Sequence, residues 1–152
     1  MKSLDFFDLQ LLEELQTDAR VSMAELGRRI GLSTPATAER VRKMEESQVI
    51  LGYHARVNPE TVGLTTQAFV KVIVAGDRLK SFHSLVLTVP EVLECHRVTG
   101  NESFILHVAV KNAAHLERVI DSLMPYVSTN TSMILASPVT WRSIKPPKEW
   151  TA

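Results

Sequence analysis

The chain has 152 residues, 45% of them hydrophobic, and its acidic and basic side chains balance to a formal net charge of zero. That length holds one ordinary domain or two small ones, and that apolar content excludes a disordered chain. The longest apolar runs, such as 68–70 and 72–75, fall far short of the roughly 20 residues that span a bilayer, so no membrane partner is expected. Asp5 and Asp8 stand where a signal peptide would carry its apolar core. The lone Cys95 can form no intrachain disulfide, and the expectation is a cytoplasmic protein. Two thin-cored domains would gain by burying more surface in an oligomer.

Charge distribution says more than the total. Residues 28–43 hold Arg28, Arg29, Arg40, Arg42 and Lys43 against Glu39 alone, while the rest of the first 60 residues is acidic on balance. A short basic stretch in acidic surroundings is how a DNA-reading edge on a neutral protein would look.

The first predicted helix opens at Asp5, an N-cap, with Asp8 at N3 and a staple from Leu4 to Leu9; Leu12 and Leu15 continue the stripe. Thr17–Arg20 breaks the pattern. A second, shorter helix starts at Ser22, whose capping-box partner is Glu25; Leu26 and Ile30 share its buried face and Gly31 ends it. Ser33 then caps a third helix with Pro35 in its first turn. Thr37, Val41 and Met44 fall on its inner face; Pro35, Ala38, Glu39 and Arg42 point outward, with Thr34 at the exposed N-terminal end. Two short helices across a Gly-containing turn have the geometry of a helix-turn-helix, whose second helix enters the major groove N-terminus first. Spacing alone leaves DNA binding and plain helix packing both open; the small residues at the helix start and the arginines on its flank favour DNA. The candidate contacts are Arg29, Ser33, Thr34, Pro35, Thr37, Ala38, Glu39, Arg40, Arg42 and Lys43. Of these, Arg42 is expected on a phosphate or base, and Arg40 on the DNA backbone or an acidic neighbour.

Asp18-Ala19-Arg20-Val21-Ser22, Glu25-Leu26-Gly27, Ile30-Gly31-Leu32-Ser33, Glu39-Arg40-Val41-Arg42 and Val49–Tyr53 occur in this order and spacing. In this the chain resembles the Lrp/AsnC (leucine-responsive, feast/famine) transcription regulators over nearly its whole length. Thr37 departs from the valine usual there. The resemblance implies a transcription regulator acting on double-stranded DNA, modulated by an amino acid, and assembled from dimers up to an octamer. No cofactor is implied.

Residues 49–57 read as a strand, which in the family links the two domains and often pairs across the dimer. Asn58-Pro59 and Gly63 punctuate the chain. They divide it into a DNA-binding domain with its linker strand (1–60), a second domain (64–138) and a C-terminal arm (139–152). After Gly63, strands are predicted at 66–75, 92–98, 104–110 and 129–137, with helices around Leu79–Val89 and Leu116–Leu123. The order βαββαβ is ferredoxin-like: an antiparallel sheet with both helices on one face. The predicted class is therefore α+β, a winged-helix-like helix-turn-helix domain followed by a ferredoxin-like sensing domain. The sheet's other face would expose Ile73, Cys95 and Ile105 or their alternates, and a second copy would cover it.

The turn Thr99–Ser103 resembles the family's Gly-x-x-Asp turn near the amino-acid effector site. Gly100 matches, and Ser103 replaces the aspartate; Gly100, Asn101, Glu102 and Ser103 are the candidate effector residues, with Glu102 a substitute acceptor for an ammonium group. Chemistry alone favours a plain hairpin turn rich in Gly and Asn over an effector site. The five histidines show no i, i+4 pair, and although His96 and His107 are placed as possible cross-strand neighbours, two ligands make no closed metal site. No catalytic residue is singled out. Two other readings stand beside the regulator: a DNA-wrapping architectural protein without an effector, and an enzyme like the sirohaem decarboxylases, which resemble the same two-domain architecture. The intact caps and basic third helix weigh against the enzyme.

Overall fold

A computed structural model describes residues 4–124 and 127–145, and the contacts within it divide the chain into two compact units. The described residues up to Ala55, together with those from Val139 onward, form one; Arg56–Pro138 forms the other. The expected C-terminal arm is thus part of the first unit. The side-chain amide of Gln16 explains this: its Oε1 accepts from Ile144 N–H at 2.8 Å, and its Nε2–H donates to Ile144 C=O at 3.1 Å. The arm beyond residue 145 lies outside the described residues.

The first unit holds three helices, α1 (Phe6–Thr17), α2 (Met23–Ile30) and α3 (Thr34–Glu46). Asp5 and Asp8 form a full capping box, each carboxylate accepting the other's backbone N–H, at 3.0 and 3.1 Å. At α2 only half of the expected box exists. Ser22 accepts from Glu25 N–H at 3.2 Å, but the Glu25 carboxylate is drawn away by two arginines. The core gathers Leu11, Leu15, Val21, Leu26, Ile30, Val41 and Met44. Leu11 with Leu15 carries the buried stripe of α1, and Leu12 is only half-buried against it. Residues 49–57, expected to form a strand, are in no strand here; within one chain they have no neighbouring strand to pair with.

The second unit contains β1 (Thr66–Val74), α4 (Leu79–Val86), β2 (Val92–Arg97), β3 (Phe104–Val110), α5 (Ala113–Leu123) and β4 (Val127–Met133). The strands form an antiparallel sheet in the order β2-β3-β1-β4, the ferredoxin-like arrangement expected from the alternating periods. Ala68, Val70, Val72 and Val74 of β1 and Phe104, Leu106, Val108 and Val110 of β3 meet Phe82, Val86, Leu116, Val119 and Leu123 of the helices. This buries one face of the sheet. On the other, Phe69 is 43% and Ile73 53% exposed. Cys95 lies opposite Leu106, on the helix-covered side rather than beside Ile73. His96 pairs with Ile105 and His107 with Glu94, so the two histidines are not directly opposite each other across the hairpin.

Candidate DNA-binding surface and effector turn

The α2–α3 corner depends on Gly27. A Cβ placed there would stand 2.6 Å from the Leu32 carbonyl oxygen and 2.7 Å from Thr37 Oγ1, so only glycine lets the turn close this tightly. Gly31 follows in the left-handed conformation (φ 77°), capping α2. Ser33 then accepts from Ala36 N–H and starts α3. These contacts aim the outer face of α3 away from the core: Ser33, Thr34, Pro35, Ala38, Glu39, Arg42 and Lys43 are exposed.

Thr37 does not belong to that surface. It is fully buried, and its hydroxyl donates to Ser33 C=O at 3.0 Å, so its expected contact with DNA is sterically excluded. Arg40 is turned inward as well. Its Nη1 reaches Asp5 and Asp8, both at 2.7 Å, and its guanidinium sits 5.5 Å from the Phe7 ring centre. Of the two roles expected for Arg40, it fills the one on acidic neighbours.

The other cations are held by carboxylates on the surface. Arg28 and Arg29 share Glu25, and Arg29 also reaches Glu14 at 2.6 Å. Arg42 grips Glu39 with two N–H groups, at 2.8 and 2.9 Å, and also bonds Glu46; Lys43 is 3.2 Å from Glu39. Hydrogen bonds from Arg28 and Arg29 pull the Glu25 carboxyl down to about 2, and those from Arg42 and Lys43 do the same to Glu39. These carboxylate partners escaped the sequence reading, although Glu25, Arg28 and Arg29, like Glu39, Arg42 and Lys43, have helical i, i+3 and i, i+4 spacing.

In the second unit, Gly100 has φ 121°, so it forms a turn that a side chain would strain. Ser103 is anchored in the sheet. Its N–H donates to Val72 C=O at 2.7 Å, and its Oγ accepts from Val74 N–H at 3.0 Å. The hydroxyl therefore closes the end of β1. Asn101 is exposed and Glu102 half-buried, leaving Glu102 as the carboxylate beside this turn.

Residues 4–45 match the AsnC-type helix-turn-helix domain, and residues 67–144 match the Lrp/AsnC ligand binding domain. The chain belongs to the Lrp/AsnC family. It is a helix-turn-helix transcription regulator of that family. Similar to it is the transcriptional regulator LrpC of Bacillus subtilis, 35% identical over 88% of this chain and 92% of that protein. The solved structure of B. subtilis LrpC covers 93% of this chain and all of its own, with a TM-score of 0.88 at 35% identity. The feast or famine regulatory protein of M. tuberculosis, solved in complex with L-methionine, has a TM-score of 0.89 at 35% identity, covering 94% of this chain and 99% of that one. The ligand-binding match runs to residue 144, although residues 139–145 group with the helix-turn-helix unit.

Proposed function

We propose that the protein binds operator DNA as a dimer or higher oligomer, reading it with the outer face of α3, and that an amino acid at the Gly100–Glu102 turn modulates it. The observation that carries the DNA reading is the exposed edge of α3. Small, exposed side chains at Thr34, Pro35 and Ala38 would let base edges approach, and the exposed Arg42, Lys43 and Arg29 would be available to phosphates. One such head makes few phosphate contacts; two heads about one helical turn or a multiple apart hold a site. A second copy of this chain against the open sheet face would supply the other head and cover Phe69 and Ile73. Footprinting tests the DNA surface. Ala38→Glu removes operator protection while the helical circular dichroism is unchanged; an intact footprint overturns the assignment. Ile73→Lys tests the interface, and a variant that still dimerises in light scattering excludes that face.

For the effector, backbone N–H groups at Gly100 and Asn101 take the carboxylate and Glu102 takes the ammonium, because the Ser103 hydroxyl is committed to Val74. The methionine complex of the M. tuberculosis relative makes L-methionine the first ligand to try. Calorimetry sees binding by the parent protein and a loss of about tenfold in Glu102→Gln, the difference between a charge-assisted and a neutral hydrogen bond. If none of the twenty amino acids gives heat, the effector-free architectural reading replaces this one, and the engagement of Ser103 in the sheet supports it.

A further inference from the structure

The edge of the sheet carries a second candidate site, on the face opposite the open one. Strand β2 ends the sheet, and its register with β3 sets Cys95 beside Leu106 and Arg97 beside Phe104. Phe104 and Leu106 are buried under the helices, with Phe82 and Phe104 ring centres 4.9 Å apart, while Cys95 and Arg97 remain exposed. The helical layer therefore stops short of the edge strand. What is left is a cleft of about 660 Å³ between α4 and β2.

Its composition is asymmetric. Leu79, Val86 and Phe104 supply an apolar floor; Lys80 and His83 on α4 and Arg97 on β2 supply positive or protonatable groups, and no carboxylate lines it. Among the described residues neither Lys80 nor Arg97 has an ion-pair partner, unlike all five cations of residues 28–43. Burial pushes the Cys95 thiol up, which keeps the cleft wall neutral there.

We propose that this cleft binds a small amphiphilic carboxylate that lacks an α-ammonium group, its tail on Leu79, Val86 and Phe104 and its carboxylate between Lys80 and Arg97. A zwitterionic amino acid is disfavoured here because its ammonium would meet cations and find no acceptor. Arg97 and Phe104 are also the last strand pair before the Gly100–Glu102 turn, but the ligand proposed here differs from one bound there in lacking an ammonium group.

Octanoate is the probe, and Cys95, the chain's single cysteine, reports where it binds. Titrated into the full-length protein, octanoate saturates and slows alkylation of Cys95 by iodoacetamide. Octanol, with the same tail and no charge, binds about tenfold more weakly or worse, and so does octanoate to the Lys80→Gln, Arg97→Gln double variant. Leucine leaves the alkylation rate unchanged. Equal affinity for octanoate and octanol, an unaltered affinity in the double variant, or octanoate binding without protection of Cys95 each overturns the proposal.

Discussion

In the three-helix unit every cation of residues 28–43 is held by a carboxylate, and Arg40 is held by two. In the four-stranded unit, Lys80 and Arg97 have no ion-pair partner among the described residues, and Phe69 and Ile73 lie bare on the open sheet face. The difference follows from what each element brings together: α4, which carries Lys80, has no Asp or Glu among Leu79–Val86. A helix brings side chains three and four apart together, so a chain rich in Glu and Arg satisfies its own charges. A strand sends alternate side chains to opposite faces, and a sheet with helices on one side leaves the other to be covered from outside. On the function proposed above, the first unit would meet DNA by exchanging ion pairs with phosphates, and the second would meet another copy by burying apolar surface.

The sharpest way to break this comparison is to cut each core separately. Leu106→Ala opens a cavity under the helices and costs about 2–5 kcal/mol. Hydrogen exchange followed by mass spectrometry finds protection lost across 66–133 and kept across 6–46; loss in both would mean that the units unfold as one. Gly27→Ala comes next, at about 1–3 kcal/mol, because the new methyl meets the Leu32 carbonyl and the Thr37 hydroxyl. Its loss of protection is confined to α1–α3.

Two smaller effects separate the inward arginine from the outward one. Arg40→Ala lowers stability by about 0.5–1 kcal/mol in urea titration, since it empties a partly exposed pocket of ion pairs. Arg42→Ala leaves stability within about 0.5 kcal/mol and instead reduces the slope of DNA affinity against salt by about 1 if its contact is a phosphate. The smallest effect is on pH. Because Glu25 and Glu39 have folded-state values of about 2 against an ordinary 4.5, their ion pairs add stability that is fully present above 4.5 and fades as pH falls towards 2. Carboxylate carbon NMR should follow both titrating near 2; midpoints near 4.5 would show that the pairs do not persist in solution.

Local chemistry was enough to reveal the caps at Asp5, Ser22 and Ser33, the left-handed Gly31 and the inner stripe Thr37, Val41 and Met44, since these depend on residues within a turn or two. The alternation in β1 and β3 likewise announced a sheet with one buried face. The sequence read alone made Thr37 both an inner residue and a DNA contact; its burial against the α2–α3 turn leaves only the first. The commitment of Arg40 to Asp5 and Asp8, some 35 and 32 residues away, depends on how α1 meets α3, which no local pattern encodes. Ser103 is tied to Val74, 29 residues earlier, by the register of β1 with β3. A one-residue slip would have turned Cys95 to the open face; its register follows without interruption from the Arg97–Phe104 pair beside the hairpin turn. The sequence by itself determined the three N-terminal helices, the βαββαβ order and the inner faces of α3, β1 and β3, because these follow from spacing within each segment; it did not determine the state of the 49–57 linker or the side to which Cys95 turns. Tertiary structure alone decided which polar side chains were left free to act, because a charge or hydroxyl is claimed by whatever distant group the packing brings within about 3 Å.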